Sequence, residues 1–444
     1  MDYNLNILSK NINDAVLHNN KTGGKTIIRH HIKIRSNHKK YQTYILNMGD
    51  ITYLKFPGKD IYFMGSGKSI KINIEDENDY NKIIKSLNEY KLFSNIKNDD
   101  CICFSVLGFN ISKKSDYPWN SISNGEFSIP NIMLYKKNNE HFLVFSEEIS
   151  KSSKNEKIIE NIKKNISKAL KQNTVEMKTN ISYNNISITQ KSKYIKIIDK
   201  VIKKIKKTNL EKVIISKMDQ YEASNSIKIS YIINQMNTKY NDCFNFVYQL
   251  NKNNFLIGSS PEKLLKLKNN TIYTEALAGT AESKDNIKNE KEINEHLYVV
   301  DYFKNVFKKY CSKISIDKTK PLKLKYAYHL HTKIKGVLNK KTHILSILNN
   351  LYPSPALLGH PSKEALKTIE ENESFDRGLY GGAIGLFNIN GEGDFYVTIR
   401  SALINKNNIF LFSGGGITEK SDSLKEWEET ELKLEHIKSI IDLK

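Results

Sequence analysis

Cysteine is scarce in this sequence, and the few cysteines follow no disulfide or metal-binding pattern. There are four in 444 residues, and no pair has the two-residue spacing typical of a zinc or redox motif. A disulfide framework is therefore not expected, and a reducing compartment is the natural inference. The four are Cys101, Cys103, Cys243 and Cys311.

Long apolar runs are also lacking. No run approaches the roughly 18 residues that a membrane-spanning helix needs. The first residues, MDYNLNILSKNINDAV, do not follow the basic-then-apolar plan of a secretory signal peptide. We therefore expect a soluble, cytoplasmic protein without a membrane partner.

Arginine is also rare, although the chain is strongly basic. Lysine and arginine total 69 against 48 acidic residues, giving a net charge of +21, which by itself would favour a nucleic-acid-binding protein. The excess is lysine spread along the whole chain, without a basic stripe. We therefore expect no nucleic-acid partner and keep a lysine-rich nucleic-acid-binding protein as a distant alternative. The only arginines are Arg29, Arg35, Arg377 and Arg400.

The chain divides into two parts of different character. Residues 1–175 are weakly patterned, and a polar linker over 173–189 separates them from residues 190–444, which carry dense motifs. Strands and helices are mixed, with several strands for each helix. This pattern predicts an α/β protein of the α+β type, with large, mostly antiparallel sheets and helices outside.

Near the C-terminus, a stretch from Tyr396 to Lys433 predicts a strand, a turn, a second strand, a glycine loop and a helix beginning near Ser423. Arg400 can grip a carboxylate with two parallel hydrogen bonds. Three glycines, Gly414–Gly416, can turn backbone N–H groups toward an anion. A flexible turn is the alternative interpretation of the glycines.

Two predicted helices each carry glutamates three residues apart, which places each pair on one helical face. The pairs are Glu292 with Glu295 and Glu426 with Glu429, and Lys433 follows on the same side of the second helix. Four carboxylates facing one another would repel unless a cation lay between them. Oxygen ligands favour a hard ion, Mg²⁺ first. Two unrelated solvent-exposed faces are the alternative.

Further reactive groups lie at the ends of predicted strands. Lys212 begins an apolar strand, where it is either a rim residue or a buried base with a lowered pKa. Glu262 follows a strand and is either a catalytic acid or an ordinary helix-start glutamate. Gly279 and Thr280 are predicted to form a turn in which exposed backbone lies beside the threonine hydroxyl. His329 lies on a strand and contacts either the core or a ligand.

Ten segments, in order from about Tyr194 to Lys433, resemble the chorismate-utilising enzymes, a family that includes isochorismate, salicylate, anthranilate and aminodeoxychorismate synthases. The family fold implies two large antiparallel sheets packed face to face with helices outside, as in anthranilate synthase component I. The first 190 residues resemble the family only loosely. The segments are KVIISK, FLIGSSPEKLL, EALAGT, KEINEHLYVVD, HLHT, YPSPALLGHP, DRGLYGGAIG, VTIRSALI, SGGGI and EWEETELK.

The resemblance implies a role for each matching residue. Lys212 corresponds to a general base acting on water, and Glu262 to a general acid, with Glu275 as a rival for the acid. Glu295 and Glu429 correspond to direct Mg²⁺ ligands, and Glu292 and Glu426 to water-mediated ones. Chorismate would be bound by Gly279, Thr280, His329, Ala356, Arg400, Gly414, Gly416 and Lys433.

The resemblance also separates the subfamilies. In the family, a lysine at the position of Lys212 accompanies water as the nucleophile, and the ammonia-using members lack it. The loop YPSPALLGHP is similar to the HPTPA loop of isochorismate synthases that feed menaquinone, with Tyr352 and Ser354 as mild departures. We therefore predict a Mg²⁺-dependent isochorismate synthase, an isomerase that needs no glutaminase partner. A salicylate synthase or another chorismate-utilising synthase is the alternative.

Overall fold

The computed structural model describes residues 5–443 except 35–37, 77–78, 121, 138, 150–153, 172–180, 282 and 324–327. Residues 173–180 of the expected linker thus lie outside the described residues. Within the described chain, no helix is both long and apolar enough to cross a membrane.

Strands dominate the fold, as the sequence predicted. In chain order they are β1 (Thr26–Ile34), β2 (Thr52–Lys55), β3 (Tyr62–Ser66), β4 (Ile70–Asn73), β5 (Lys91–Ser94), β6 (Ile102–Leu107), β7 (Gly125–Ile129), β8 (Ile132–Lys137), β9 (Glu140–Ile149), β10 (Tyr183–Ser187), β11 (Lys212–Ala223), β12 (Phe244–Gln249), β13 (Asn254–Ser260), β14 (Lys263–Lys268), β15 (Thr271–Ala281), β16 (Cys311–Ile316), β17 (Lys320–Lys323), β18 (Tyr328–Leu338), β19 (Gly359–His360), β20 (Ala383–Asn388), β21 (Gly393–Val397), β22 (Ser401–Asn405) and β23 (Asn408–Thr418).

Ten α-helices occur in the described residues. They are α1 (Leu5–Thr22), α2 (His38–Met48), α3 (Asp79–Asn88), α4 (Asn155–Lys171), α5 (Lys191–Ile205), α6 (Ile229–Lys239), α7 (Glu290–Lys308), α8 (Ile344–Leu351), α9 (Ser362–Asn372) and α10 (Ser423–Ile441).

The strands form two large sheets, of 13 and 10 strands in the described chain. The first runs β10-β11-β23-β22-β13-β12-β2-β3-β8-β9-β1-β5, with β19 also paired to β11. The second runs β16-β18-β15-β14-β21-β20-β6-β7-β4, with β17 paired to β18. Among the described pairings, β1 with β5 is the parallel one. Both sheets draw strands from each side of the expected linker.

An aromatic core fills the space between the two sheets. Phe246 and Phe412 of the first sheet and Phe104 and Ile384 of the second belong to one buried cluster. Helices cover the outer faces: α1, α6 and α10 lie along the first sheet, α5 and α9 along β11, and α7 and α8 along the second sheet. Each sheet thus has one face against the other sheet and one face under helices, which covers its apolar surfaces on both sides. The predicted face-to-face architecture is confirmed.

The predicted glycine loop is wrong. Gly414–Gly416 lie inside β23, which pairs with β11 without interruption from Asn408 opposite Glu222 to Thr418 opposite Lys212. Continuous pairing with β11 holds the backbone of the glycines extended, and none of the three has a positive φ. Their missing side chains instead leave room for neighbouring groups, as described below.

Candidate active site

A cavity of about 110 Å³ lies among β11, β15, β18, β23, α7 and α10. Most of the predicted site residues line it, although they come from widely separated parts of the sequence. Lys212, Glu292 and Glu426 are not among the described lining residues. Those that line it are Glu262, Gly279, Glu295, His329, Ala356, Arg400, Gly414, Gly416, Glu429 and Lys433.

Lys212 lies directly behind this cavity. Its side chain is fully buried, and its Nζ lies 2.9 Å from Oε1 of Glu295, which does line the cavity. Gly416 makes this arrangement possible, because a Cβ there would lie 2.6 Å from Glu295 Oε1 and 3.0 Å from Lys212 Cε. A side chain at position 416 would therefore drive the lysine and the carboxylate apart.

Glu262 provides a carboxyl group with an unusual proton affinity. It lies in the turn between β13 and β14 and is 7% exposed. Burial raises its pKa to about 7. The positive charges of Lys212, Lys433 and Arg400 lower this pKa, but by less than burial raises it. A large fraction of this carboxyl therefore carries a proton at neutral pH, as a general acid requires.

Arg400 supplies a half-buried positive charge that faces the cavity. It lies between β21 and β22 with φ of +51°, in the left-handed region that non-glycine residues seldom occupy. Burial lowers its pKa from the usual value. Its guanidinium has no hydrogen-bond or ion-pair partner among the described residues, so its fork of donors is available to an anion.

Two carboxylates from different helices face the same cavity, Glu295 on α7 and Glu429 on α10. Glu429 Oε1 lies 2.6 Å from Lys433 Nζ, and that Nζ also donates to the Gly414 carbonyl at 2.8 Å. The other members of the two pairs are more deeply buried, Glu292 at 5% exposure and Glu426 at 1%.

The donor set fits Mg²⁺. As the side chains stand, no three potential ligands in the described chain approach closely enough to hold a metal together. Mg²⁺ does not need three, since it commonly keeps several waters and binds one or two protein carboxylates plus the substrate. Glu295 and Glu429 offer such a pair of oxygen ligands in the cavity that Arg400 also lines.

His329 and Gly279 form one wall of the cavity. Nδ1 of His329 donates to the Gly279 carbonyl at 3.1 Å, and burial lowers the pKa of this histidine to about 4, so it is neutral at physiological pH. Gly279 has φ of +76° and lies against Glu292. Thr280 continues β15 opposite His329, and its side chain lies outside the described residues.

Glu275, the rival for the acid role, does not line the cavity. Its Oε2 accepts a hydrogen bond from Nε2 of His331 at 2.8 Å, and this contact lowers its pKa. Of these two carboxyl groups, it is therefore Glu262 that lies at the cavity.

The sequence analysis also missed several lining residues, among them Ile399, Tyr380 and Phe412. Tyr380 is 6% exposed and stacks on Phe412 with ring centroids 5.1 Å apart. The available signal was a tyrosine embedded in the glycine-rich segment DRGLYGG, just before a buried strand.

The sequence profile described as "Chorismate binding enzyme" matches residues 14–442. The chain belongs to the chorismate-binding enzyme family. This confirms the resemblance and extends it over the weakly patterned N-terminal part. The profile match therefore covers both parts of the chain, on either side of the expected linker.

Individual members of the family show how far the similarity extends. The chain is 27% identical over 345 residues to isochorismate synthase MenF of Bacillus subtilis, covering 75% of this chain and 73% of that one. It is 29% identical to anthranilate synthase component 1 of Saccharolobus solfataricus, over 57% of this chain and 63% of that one. In fold, it is similar to the menaquinone-specific isochorismate synthase MenF of Escherichia coli, with a TM-score of 0.76, 19% identity, and coverage of 99% and 100%.

Proposed function

We propose that this protein is an isochorismate synthase, which converts chorismate to isochorismate by adding water at ring position 2 with loss of the 4-hydroxyl. The observation that carries the proposal is the joint presence, around one cavity, of a buried lysine, a carboxyl with a pKa of about 7, and an arginine whose side chain has no partner in the part of the chain that the structure describes. The similarity to isochorismate synthases from several organisms supports the same reaction.

The reaction needs a base and an acid together, because water is a poor nucleophile and hydroxide a poor leaving group. In the proposed mechanism, Lys212 accepts a proton from the attacking water as the water oxygen bonds to ring carbon 2. Glu262 donates its proton to the departing 4-hydroxyl, which leaves as water while the double bonds shift. One water enters and one leaves, so the net reaction is an isomerisation.

The remaining residues bind the substrate, which is a dicarboxylate. Arg400 is placed to bind one carboxylate through two parallel hydrogen bonds, and Lys433 adds a second positive charge. Gly279, His329 and Ala356 line the space for the ring. Removal of bulk water from this buried cavity strengthens each of these charge interactions.

Mg²⁺ is proposed as the cofactor, held directly by Glu295 and Glu429 with Glu292 and Glu426 in support. When bound, it would neutralise a substrate carboxylate that otherwise meets two glutamates. The oxygen-only donor set supports Mg²⁺ over softer metals.

The pathway and location are parts of the same proposal. We place the enzyme in the menaquinone branch because the MenF relatives and the loop YPSPALLGHP favour it. We expect it in the cytoplasm, where its free cysteines would stay reduced. No glutaminase subunit is required, since water is the nucleophile.

The test is to incubate the purified protein with chorismate, with and without Mg²⁺, and to identify the products by chromatography and mass. Isochorismate formed only with Mg²⁺ is the expected result. If isochorismate forms equally well without metal, Mg²⁺ is not the cofactor, but the proposed reaction still stands. Salicylate with pyruvate would move the protein to the salicylate synthases, and no product even with added ammonium would refute the proposed function.

A further inference from the structure

A buried ion pair outside the cavity holds two of its walls together. Arg377 is 4% exposed, and its Nε lies 2.9 Å from Oε2 of Glu373. A second contact of 2.5 Å joins its Nη2 to Oε1 of the same glutamate. Phe109 lies beneath the guanidinium, with its ring centroid 4.4 Å from Cζ. Neither member of the pair lines the cavity.

The arginine also reaches two segments that do line the cavity. Its Nη1 donates to the Leu357 carbonyl at 2.8 Å, and its Nη2 to the Ile214 carbonyl at 2.8 Å. Leu357 lies beside Ala356 in the loop after α8, and Ile214 lies on β11 two residues beyond Lys212. One guanidinium thus fixes the loop that faces the ring against the strand that carries the base.

The backbone of β11 needs these contacts because the edge of β11 opposite β23 is only partly paired with other strands. β19 pairs only with Lys212 and Val213, and the Ile214 N–H donates to the Leu358 carbonyl at 3.1 Å. Beyond that point, no strand of the described chain pairs with this edge until β10. Arg377 donates to the Ile214 carbonyl instead, and Glu373 Oε1 accepts from the Ser216 N–H at 2.7 Å. The ion pair therefore takes the place of a missing strand, since buried backbone groups must find partners.

Lysine could not make this set of contacts. A planar guanidinium offers five donors in a fixed fork, whereas an ammonium is a compact point charge. The use of arginine here, in a chain with 69 basic residues and only four arginines, agrees with that geometric demand.

We propose that Arg377 is a positioning residue of the substrate site, which with Glu373 sets the spacing between Lys212 and the loop that faces the substrate ring. This inference rests on the proposed function, because it concerns how chorismate is held relative to the base. Displacement of a binding wall by about 1 Å can cost roughly a hundredfold in rate. Loss of the clamp should therefore alter the kinetics of protein that remains folded.

The test compares Arg377→Lys with Arg29→Lys. Arg29 is a matched control, since it is 1% exposed and ion-paired with Asp99 at 2.9 Å, but lies away from the cavity. Both variants lose a buried guanidinium and should melt at lower temperature. Only Arg377→Lys should lower kcat/KM, by roughly tenfold to a hundredfold, with a raised KM and a weaker Kd for chorismate measured by calorimetry.

Kinetics within twofold of wild type in folded Arg377→Lys would overturn the inference, as would an equal loss in Arg29→Lys. If Arg377→Lys does not fold, Glu373→Gln serves instead, because its amide oxygen can still accept from Ser216 while the charge is lost. A severalfold rise in KM is then expected, and an unchanged KM refutes the inference. A wild type that neither binds nor converts chorismate would refute the proposed function itself, and the two failures are therefore distinguishable.

Discussion

Replacing Glu262 with glutamine should make the protein more stable at alkaline pH while strongly lowering its turnover. The pKa of Glu262 is about 7, against an ordinary value of 4.5. Each unit of difference corresponds to about 1.4 kcal/mol, so keeping this carboxylate ionised in the folded state costs about 3 kcal/mol. Glutamine has nearly the same shape and carries no charge, and it removes that cost.

The sign and the pH window follow from the direction of the shift. A carboxyl whose pKa is raised on folding binds its proton more tightly in the folded state, so wild-type stability falls as pH rises from about 4.5 to about 7. The two proteins should therefore be similar in stability near pH 4.5. Above pH 8, Glu262→Gln should be more stable by about 3 kcal/mol.

The assay is denaturant or thermal unfolding of both proteins, without ligand, at several pH values across this window. Glu275→Gln is a suitable control with the opposite sign, because its hydrogen bond with His331 lowers the pKa of Glu275. That variant should lose stability relative to wild type at alkaline pH. A difference between wild type and Glu262→Gln that does not change with pH would refute the raised pKa. Turnover by Glu262→Gln should fall roughly 10²–10⁴-fold, and near-normal turnover would remove Glu262 as the acid.

Four further substitutions test the other proposed roles. Lys212→Ala should reduce kcat at least about a hundredfold, measured by isochorismate formation, and normal turnover would disprove the base. Arg400→Lys should raise KM about tenfold or more, since one ammonium cannot replace two parallel hydrogen bonds to a carboxylate; wild-type kinetics would contradict its binding role. Glu295→Gln and Glu429→Gln should each weaken Mg²⁺ binding in a direct metal titration by about tenfold or more, and unchanged affinity in both would exclude them as ligands.

The parts of the site that could be predicted from sequence are those set by local rules. The helix carrying Glu426 and Glu429 was expected to begin near Ser423, and α10 begins there. Asp422 caps it, with Oδ1 accepting from the N–H groups of Leu424 and Lys425 at 3.0 and 2.9 Å. Capping and helical spacing depend only on neighbouring residues, so a single sequence is sufficient for them.

The parts that could not be predicted depend on distant partners. Glycine propensity predicted a loop at Gly414–Gly416, but pairing with β11, almost 200 residues earlier in the chain, keeps them extended. Spacing put Glu426 on one helical face with Glu429, yet Glu426 lies against Gly415 and accepts from Ser421 at 2.7 Å. Which member of a pair reaches a cavity depends on how the helix packs on its sheet.

The charges around the cavity lead to a final prediction, that metal and substrate strengthen each other's binding. When Lys212 acts as the base and Glu262 is protonated, the positive charges of Arg400 and Lys433 equal in number the negative charges of Glu295 and Glu429, the two other carboxylates that line the cavity. A bound dianion would add two negative charges that these groups do not compensate, which is costly in a buried space, and a divalent cation would offset them. Titration of Mg²⁺ into the slow Glu262→Gln protein should therefore give a lower Kd with chorismate present, and the reverse titration should show the same factor. Identical affinities with and without the partner would mean that this balance of charges does not govern binding.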